Sequence, residues 1–143
     1  MMPLQNTCTK IIITPKSYSA AGTVEAYVDT LGYDECAIDV IMDSQAATTS
    51  NLAVLTIGEG DTSTANTAIA ALTGDGASGF TIPATQTTPG VTRINIDLRA
   101  RKRYLTLTIT AGDVAVLLAA VGTFGKAEDS TTARAAMAGV VDG

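Results

Sequence analysis

The sequence predicts an all-β fold, an antiparallel β-sandwich or jelly roll of about seven or eight strands, with a long middle loop and extended termini. Three observations carry this expectation. Several short segments alternate apolar and polar residues with a period of two, Gly, Asp and Pro punctuate them, and no stretch sustains the 3.6-residue apolar period of a helix. A parallel sheet would need crossover helices, and the pattern offers none.

Each element can be argued in order. Residues 10–14 are β-branched apart from Lys10, and Pro15 is expected to end this first edge strand. In residues 22–29, Val24, Ala26 and Val28 alternate with Thr23, Glu25, Tyr27 and Asp29, the signature of a half-buried strand. Leu31, Gly32, Tyr33 and Asp34 form the next turn. Residues 35–43 place Cys36, Ile38, Val40 and Met42 on one uniformly apolar face, expected to point inward. Residues 52–57 are apolar at nearly every position, as in a strand covered on both faces, and residues 58–61 close it.

The middle, residues 62–90, is the least strand-like part. Residues 64–72 read as one or two helical turns with Ile69 and Leu72 inward, followed by a loop and a short strand at residues 80–82. Residues 91–98 alternate again, with Ile94, Ile96 and Leu98 inward. Residues 104–110 put Leu105, Leu107 and Ile109 inward and Thr106, Thr108 and Thr110 outward. Residues 114–124 form a last strand, or in part a buried helix. The tail turns to Ala, Ser, Thr and Gly, and residues 129–138 could cap a short helix. The division expected is an N-terminal arm and edge strand over residues 1–21, a β-sandwich over 22–124 and a C-terminal extension over 125–143.

A chain of 143 residues is long enough for one real core without metals or disulfides. Trp is absent and aromatics make up 4%, so Val, Ile, Leu and Ala must fill that core. Cys8 and Cys36 lie in different strands without C-x-x-C spacing. They read as buried free thiols, with a single cross-strand disulfide the open alternative. No apolar run approaches the ~20 residues of a membrane helix, and the first residues lack the pattern of a secretory signal.

Composition also removes function classes. There is no His, hence neither the usual neutral-pH base nor the commonest metal ligand. No Gly-x-Ser-x-Gly elbow is present, and residues 58–63 lack the Gly-Lys-Ser/Thr ending of a phosphate loop. A net charge of −5 argues against general nucleic-acid binding. The carboxylates of Asp34, Glu35, Asp39 and Asp43 lack calcium-loop spacing and read as a solvated face. Tyr18, Tyr27, Tyr33 and Tyr104 are scattered, as amphipathic rim residues are. The chain is therefore expected to be no enzyme, with no cofactor, catalytic residue or metal site.

One local signal stands out. Arg99, Arg101, Lys102 and Arg103 put four cations into five residues between two strands. They read either as a partner-binding patch for an acidic surface or as a solvated turn whose charges guard an exposed edge.

Two segments resemble a known group. GTVEAYVDTLGYDECAIDVIM (residues 22–42) runs strand, Asp-x-x-Gly-Tyr-Asp turn, strand, and INIDLRARKRYLTLTIT (residues 94–110) leads an Asp-Leu-Arg segment into Lys-Arg-Tyr-Leu. Together they resemble small structural proteins of tailed bacteriophages encoded among the head genes. The resemblance implies a capsid cement or decoration protein, an all-β module on the outside of the shell. Its partner would be the major capsid protein, its own state a dimer or trimer, and its location the virion exterior after synthesis in the host cytoplasm. No membrane and no direct nucleic-acid contact are expected. A head–tail connector or tail component, and a carbohydrate- or host-surface-binding β-sandwich, are the alternatives.

Overall fold

The computed structural model describes residues 7–44, 52–82 and 87–125. Eight strands follow one another: β1 (Cys8–Tyr18), β2 (Thr23–Asp29), β3 (Glu35–Met42), β4 (Leu52–Gly60), β5 (Thr67–Thr73), β6 (Gly90–Asp97), β7 (Tyr104–Ala111) and β8 (Val116–Gly125). They form two four-stranded sheets, with order β1-β8-β3-β6 in sheet A and β2-β7-β4-β5 in sheet B. All pairings between these strands are antiparallel. Apart from the β4–β5 hairpin, successive strands alternate between the sheets, so the sandwich is a jelly roll.

The period-two faces became the core. Cys36, Ile38, Val40 and Met42 from β3, Ile94 and Ile96 from β6, and Leu105, Leu107 and Ile109 from β7 are all buried between the sheets. Phe124, the one fully buried ring, lies opposite both Cys8 and Cys36, so β8 separates the two cysteines. Strands two apart are ~9.6 Å from each other, beyond the reach of a disulfide. Both thiols are free and buried, and burial pushes Cys36 up to about 12.

Several sequence expectations are corrected. Pro15 does not end β1, which runs on to Tyr18. Between Ile13↔Ala120 and Lys16↔Leu118 the register shifts, leaving Thr14 and Pro15 opposite the single Ala119. A proline in the irregular part of an edge strand removes no needed ladder bond. Residues 64–72, read as helical turns, instead lead into strand β5 from Thr67 on, because pairing with β4 overrides a weak local propensity. Ile69 is buried and Leu72 packs half-buried against the core, both inward as expected. Residues 80–82 make only an isolated bridge through Phe80 to Gly74. In β4, Ala53 and Val54 are exposed, so that strand is covered on one face only at its start. The last segment is strand throughout Val116–Gly125. Residues 129–138, with the helix expected there, lie outside the described residues, as do the first six residues.

Turn chemistry fits the ends of the strands. Gly32 has φ +87° in the β2–β3 connection, a left-handed conformation that glycine adopts without penalty. Asp29 Oδ1 accepts the Leu31 N–H at 3.0 Å in the same turn.

Candidate functional site

The pairings Asp29↔Tyr104↔Gly60 in sheet B and Glu35↔Asp97 in sheet A bring three connections to one end of the sandwich: residues 30–34, 61–66 and 98–103. The basic knuckle is the third of these. Its backbone is held at several points. Thr30 Oγ1 donates to the Arg103 carbonyl at 2.6 Å, the Lys102 N–H donates to Glu59 Oε2 at 3.0 Å, and the Leu98 N–H donates to the Asp34 carbonyl at 2.8 Å.

Each cation of the knuckle faces a carboxylate. Arg99 pairs with Asp97 at 2.7 Å, Arg101 with Glu59 at 3.5 Å, Lys102 with Asp61 at 2.6 Å and Arg103 with Asp29 at 2.7 Å. Arg103 also lies 4.9 Å from the Tyr104 ring centroid. Four positive groups thus meet four negative ones drawn from β2, β4, the β4–β5 connection and β6. Sequence reasoning saw the run of cations but not their partners, because three of the four carboxylates lie some forty to seventy positions away.

These pairs give a testable pH dependence. The Arg103 guanidinium holds the Asp29 carboxyl below its usual range, and Arg93 does the same for Asp39. A folded value below the unfolded one means that the stabilisation is complete above the unfolded value and is lost as pH falls through the folded one. Urea midpoints are expected to stay level from neutrality to about pH 5 and to fall progressively below about pH 4, with a shallower fall in Asp39→Asn. A midpoint indifferent to acid would show that the pairs contribute nothing, as exposed pairs often do.

The two outer faces of the sandwich differ in kind. On sheet B the cross-strand rows are Thr23–Thr110–Val54, Glu25–Thr108–Thr56, Tyr27–Thr106–Gly58 and Asp29–Tyr104–Gly60. This face is rich in threonine. Thr106, expected to be solvated, is buried on it, because the β4–β5 connection folds back. The Asn66 side chain occupies the space that a Cβ at Gly58 would need, and its amide donates to Thr108 Oγ1 at 3.5 Å.

On sheet A the rows grade from polar to apolar. Gly125–Glu35–Asp97 comes first, then Thr9–Thr123–Ala37–Asn95 and Ile11–Val121–Asp39–Arg93, then Ala119–Ile41–Val91. Leu117 follows beside Ser17. Ile11, Val91, Leu117 and Ile41 are 68%, 60%, 47% and 42% exposed. In the middle of this field Asp39 pairs with Arg93 at 2.7 Å in a bidentate bridge that neutralises both groups.

Two hollows sit at opposite ends of this face. Beside the knuckle, a groove of about 460 Å³ is lined by Asp34, Glu35, Asn95, Asp97, Arg99 and Thr123, among others. At the far end an apolar hollow of about 270 Å³ lies among Pro15, Ile41, Pro89, Leu117 and Ala119. Neither resembles a reaction centre. Among the described residues no group of three or more Cys, Asp or Glu could hold a metal ion.

The tyrosines do not converge. Tyr27 is exposed on sheet B and bonds Glu25, whereas Tyr18 donates to the Thr14 carbonyl. Tyr33, expected on the rim, is buried with its ring 5.4 Å from Phe124. Among the described residues its hydroxyl has no partner at hydrogen-bond geometry, and burial followed by the nearby Cys8 thiol pushes it to about 12.

No family profile and no curated protein matches the chain. Solved structures give fold-level overlaps. A family 35 carbohydrate-binding module from Cellvibrio japonicus has 11% identity and a TM-score of 0.42 over 84% of this chain and 86% of its own. A family 115 4-O-methyl-α-glucuronidase has 13% identity and a TM-score of 0.43 over 86% of this chain and 17% of its own. A chain of infectious bursal disease virus, Gx strain, has 14% identity and a TM-score of 0.46 over 82% of this chain and 31% of its own. This chain therefore spans well under a third of the enzyme and about a third of the viral chain. Overlaps of this size assign no activity.

Proposed function

We propose that this chain is a non-enzymatic structural protein of a phage virion, and that it cements the capsid exterior by laying the outer face of sheet A on the major capsid protein. The observation that supports this reading most is the exposed apolar half of that face. Ile41 and Val91 share one row of that face, Leu117 follows on β8 and Ile11 lies one row away on β1, around the self-neutralised Asp39–Arg93 pair. Isolated exposed apolar residues need no explanation, but a contiguous field of them marks a contact surface.

Area favours many weak contacts over one strong one. Four strands about 4.8 Å apart and roughly 25 Å long present on the order of 500 Å². That is less than the ~800 Å² per partner of a standard stable interface, so affinity would come from repetition across a shell. Use of jelly rolls in viral capsids is an analogy of fold and adds only to the prior. In this reading Arg99, Arg101, Lys102 and Arg103 form a rim contact that meets the partner as ion-paired groups.

Heads assembled without the protein test the proposal. Added chain is expected to bind saturably, in fixed ratio to the major capsid protein, and to raise the temperature at which heads release DNA. Binding of a few copies at one vertex would instead indicate a head–tail connector. A second reading rests on the polar groove, whose carboxylates, Asn95 and Arg99 could bind sugar hydroxyls. Glycan binding lost in Asn95→Ala, without binding to heads, would establish it in place of the first.

A further inference from the structure

Four strands of this jelly roll are edges, and three are protected. β1 carries two register irregularities, Pro15 and the lysines Lys10 and Lys16. β2 is joined to β1 by a four-residue turn and touches it across the gap between the sheets. β5 pairs with β4 through a short, shifted register. β6 has none of these devices: its eight residues run in unbroken register with β3, without a lysine, bulge or internal proline. Such an edge is a template for another strand.

The direction of its peptide groups follows from the ladder. The Leu98 N–H donates to the Asp34 carbonyl at 2.8 Å, and the Asp43 N–H donates to the Leu117 carbonyl at 3.0 Å. Even-numbered residues of β3 therefore turn toward β6 and odd-numbered ones toward β8, so even-numbered residues of β6 are used by β3. The peptide groups of Val91, Arg93 and Asn95 point to the open side, and no backbone partner reaches them among the described residues.

We propose that β6 pairs antiparallel with β6 of a second copy about a two-fold axis at Asn95, joining two A sheets into one of eight strands. Charge and burial select both the partner and the register. With Asn95 opposite its own copy, Arg93 faces Asp97 on the outer side, and Ile94 faces Ile96 on the core side. The Asp97 carboxylate, which holds Arg99 within one chain, would be shared with the incoming guanidinium. Moving the axis by one residue either way loses this. An axis at Ile96 sets Arg93 against Arg99, and an axis at Ile94 sets Val91 against Asp97. An axis one step further, at Arg93, opposes that arginine with itself. A sheet edge that matches its own inverse fits a second copy of this chain.

The pairing does not depend on the capsid reading, because it is tested on the chain alone. Sedimentation velocity at concentrations up to about 1 mM is expected to show a reversible dimer. Asn95→Lys, which sets two ammonium groups opposite each other at an exposed position, is expected to weaken it about fivefold or more. Under mild oxidation Asn95→Cys is expected to yield a disulfide-linked dimer, since directly opposed residues of such a pair lie about 5.5 Å apart between Cα atoms. Val91→Cys, about four residues from the axis on each chain, is expected to stay unlinked. A monomer at every concentration whose Asn95→Cys form does not cross-link overturns the proposal. Equal linking of Val91→Cys also overturns it, because that result would mean face-to-face contact.

Discussion

Phe124→Ala is expected to cost about 3–5 kcal/mol, a large part of the 5–15 kcal/mol that holds a domain of this size. The ring is fully buried on β8, which lies between β1 and β3 in sheet A. Its position is prepared two residues earlier, where a Cβ on Gly122 would stand 2.8 Å from the Phe124 ring and 2.7 Å from Ile12. The ring also packs at 5.4 Å and 50° against Tyr33, and Lys10 reaches over it at 5.3 Å. Truncation would leave a cavity bordered by the buried Tyr33 hydroxyl, which has no hydrogen-bond partner among the described residues. Backbone pairing on both sides keeps β8 from collapsing into that space, so relaxation recovers little. Urea denaturation of both forms measures the loss. A difference below about 1 kcal/mol would mean that the core end around Cys8, Cys36 and Tyr33 is loosely packed.

Leu117→Lys combined with Ile41→Lys is expected to weaken binding to heads by 100-fold or more, the loss that follows when about 3 kcal/mol of central apolar contact is replaced by charge. Both side chains line the apolar hollow at the end of sheet A farthest from the knuckle. Both are exposed, so the change is expected to alter stability by no more than about 0.5 kcal/mol for each site. Thr23→Lys, on the threonine-rich face, serves as the control and is expected to bind normally. Co-sedimentation with heads that lack the protein distinguishes the faces. If Thr23→Lys fails to bind and the double variant succeeds, sheet B is the docking face and the proposed orientation is inverted.

The strands with clean alternation were legible because a period of two assigns every residue to a face. Ile38, Val40, Ile94, Leu107 and Ile109 needed no partner to be recognised as core. Where the code was silent, local reasoning failed for identifiable causes. The segment Thr67–Thr73 has the composition of a weak helix and becomes a strand only through β4. Thr106 looks solvated by type, and a connection arriving from forty residues away buries it. The knuckle was visible as charge, but its neutralisation was not, since Asp29, Glu59 and Asp61 are distant in sequence.

By itself the sequence determined that this is a β-protein with an aliphatic core, no histidine and no catalytic motif, because periodicity and composition are properties of the residues alone. Tertiary structure decided what those residues face. The strand order placed β8 between Cys8 and Cys36, gathered four carboxylates around Arg99, Arg101, Lys102 and Arg103, and collected Ile11, Ile41, Val91 and Leu117 onto one outer face. Pairing between strands far apart in the chain creates these neighbourhoods, and pairing is a property of the fold rather than of any segment.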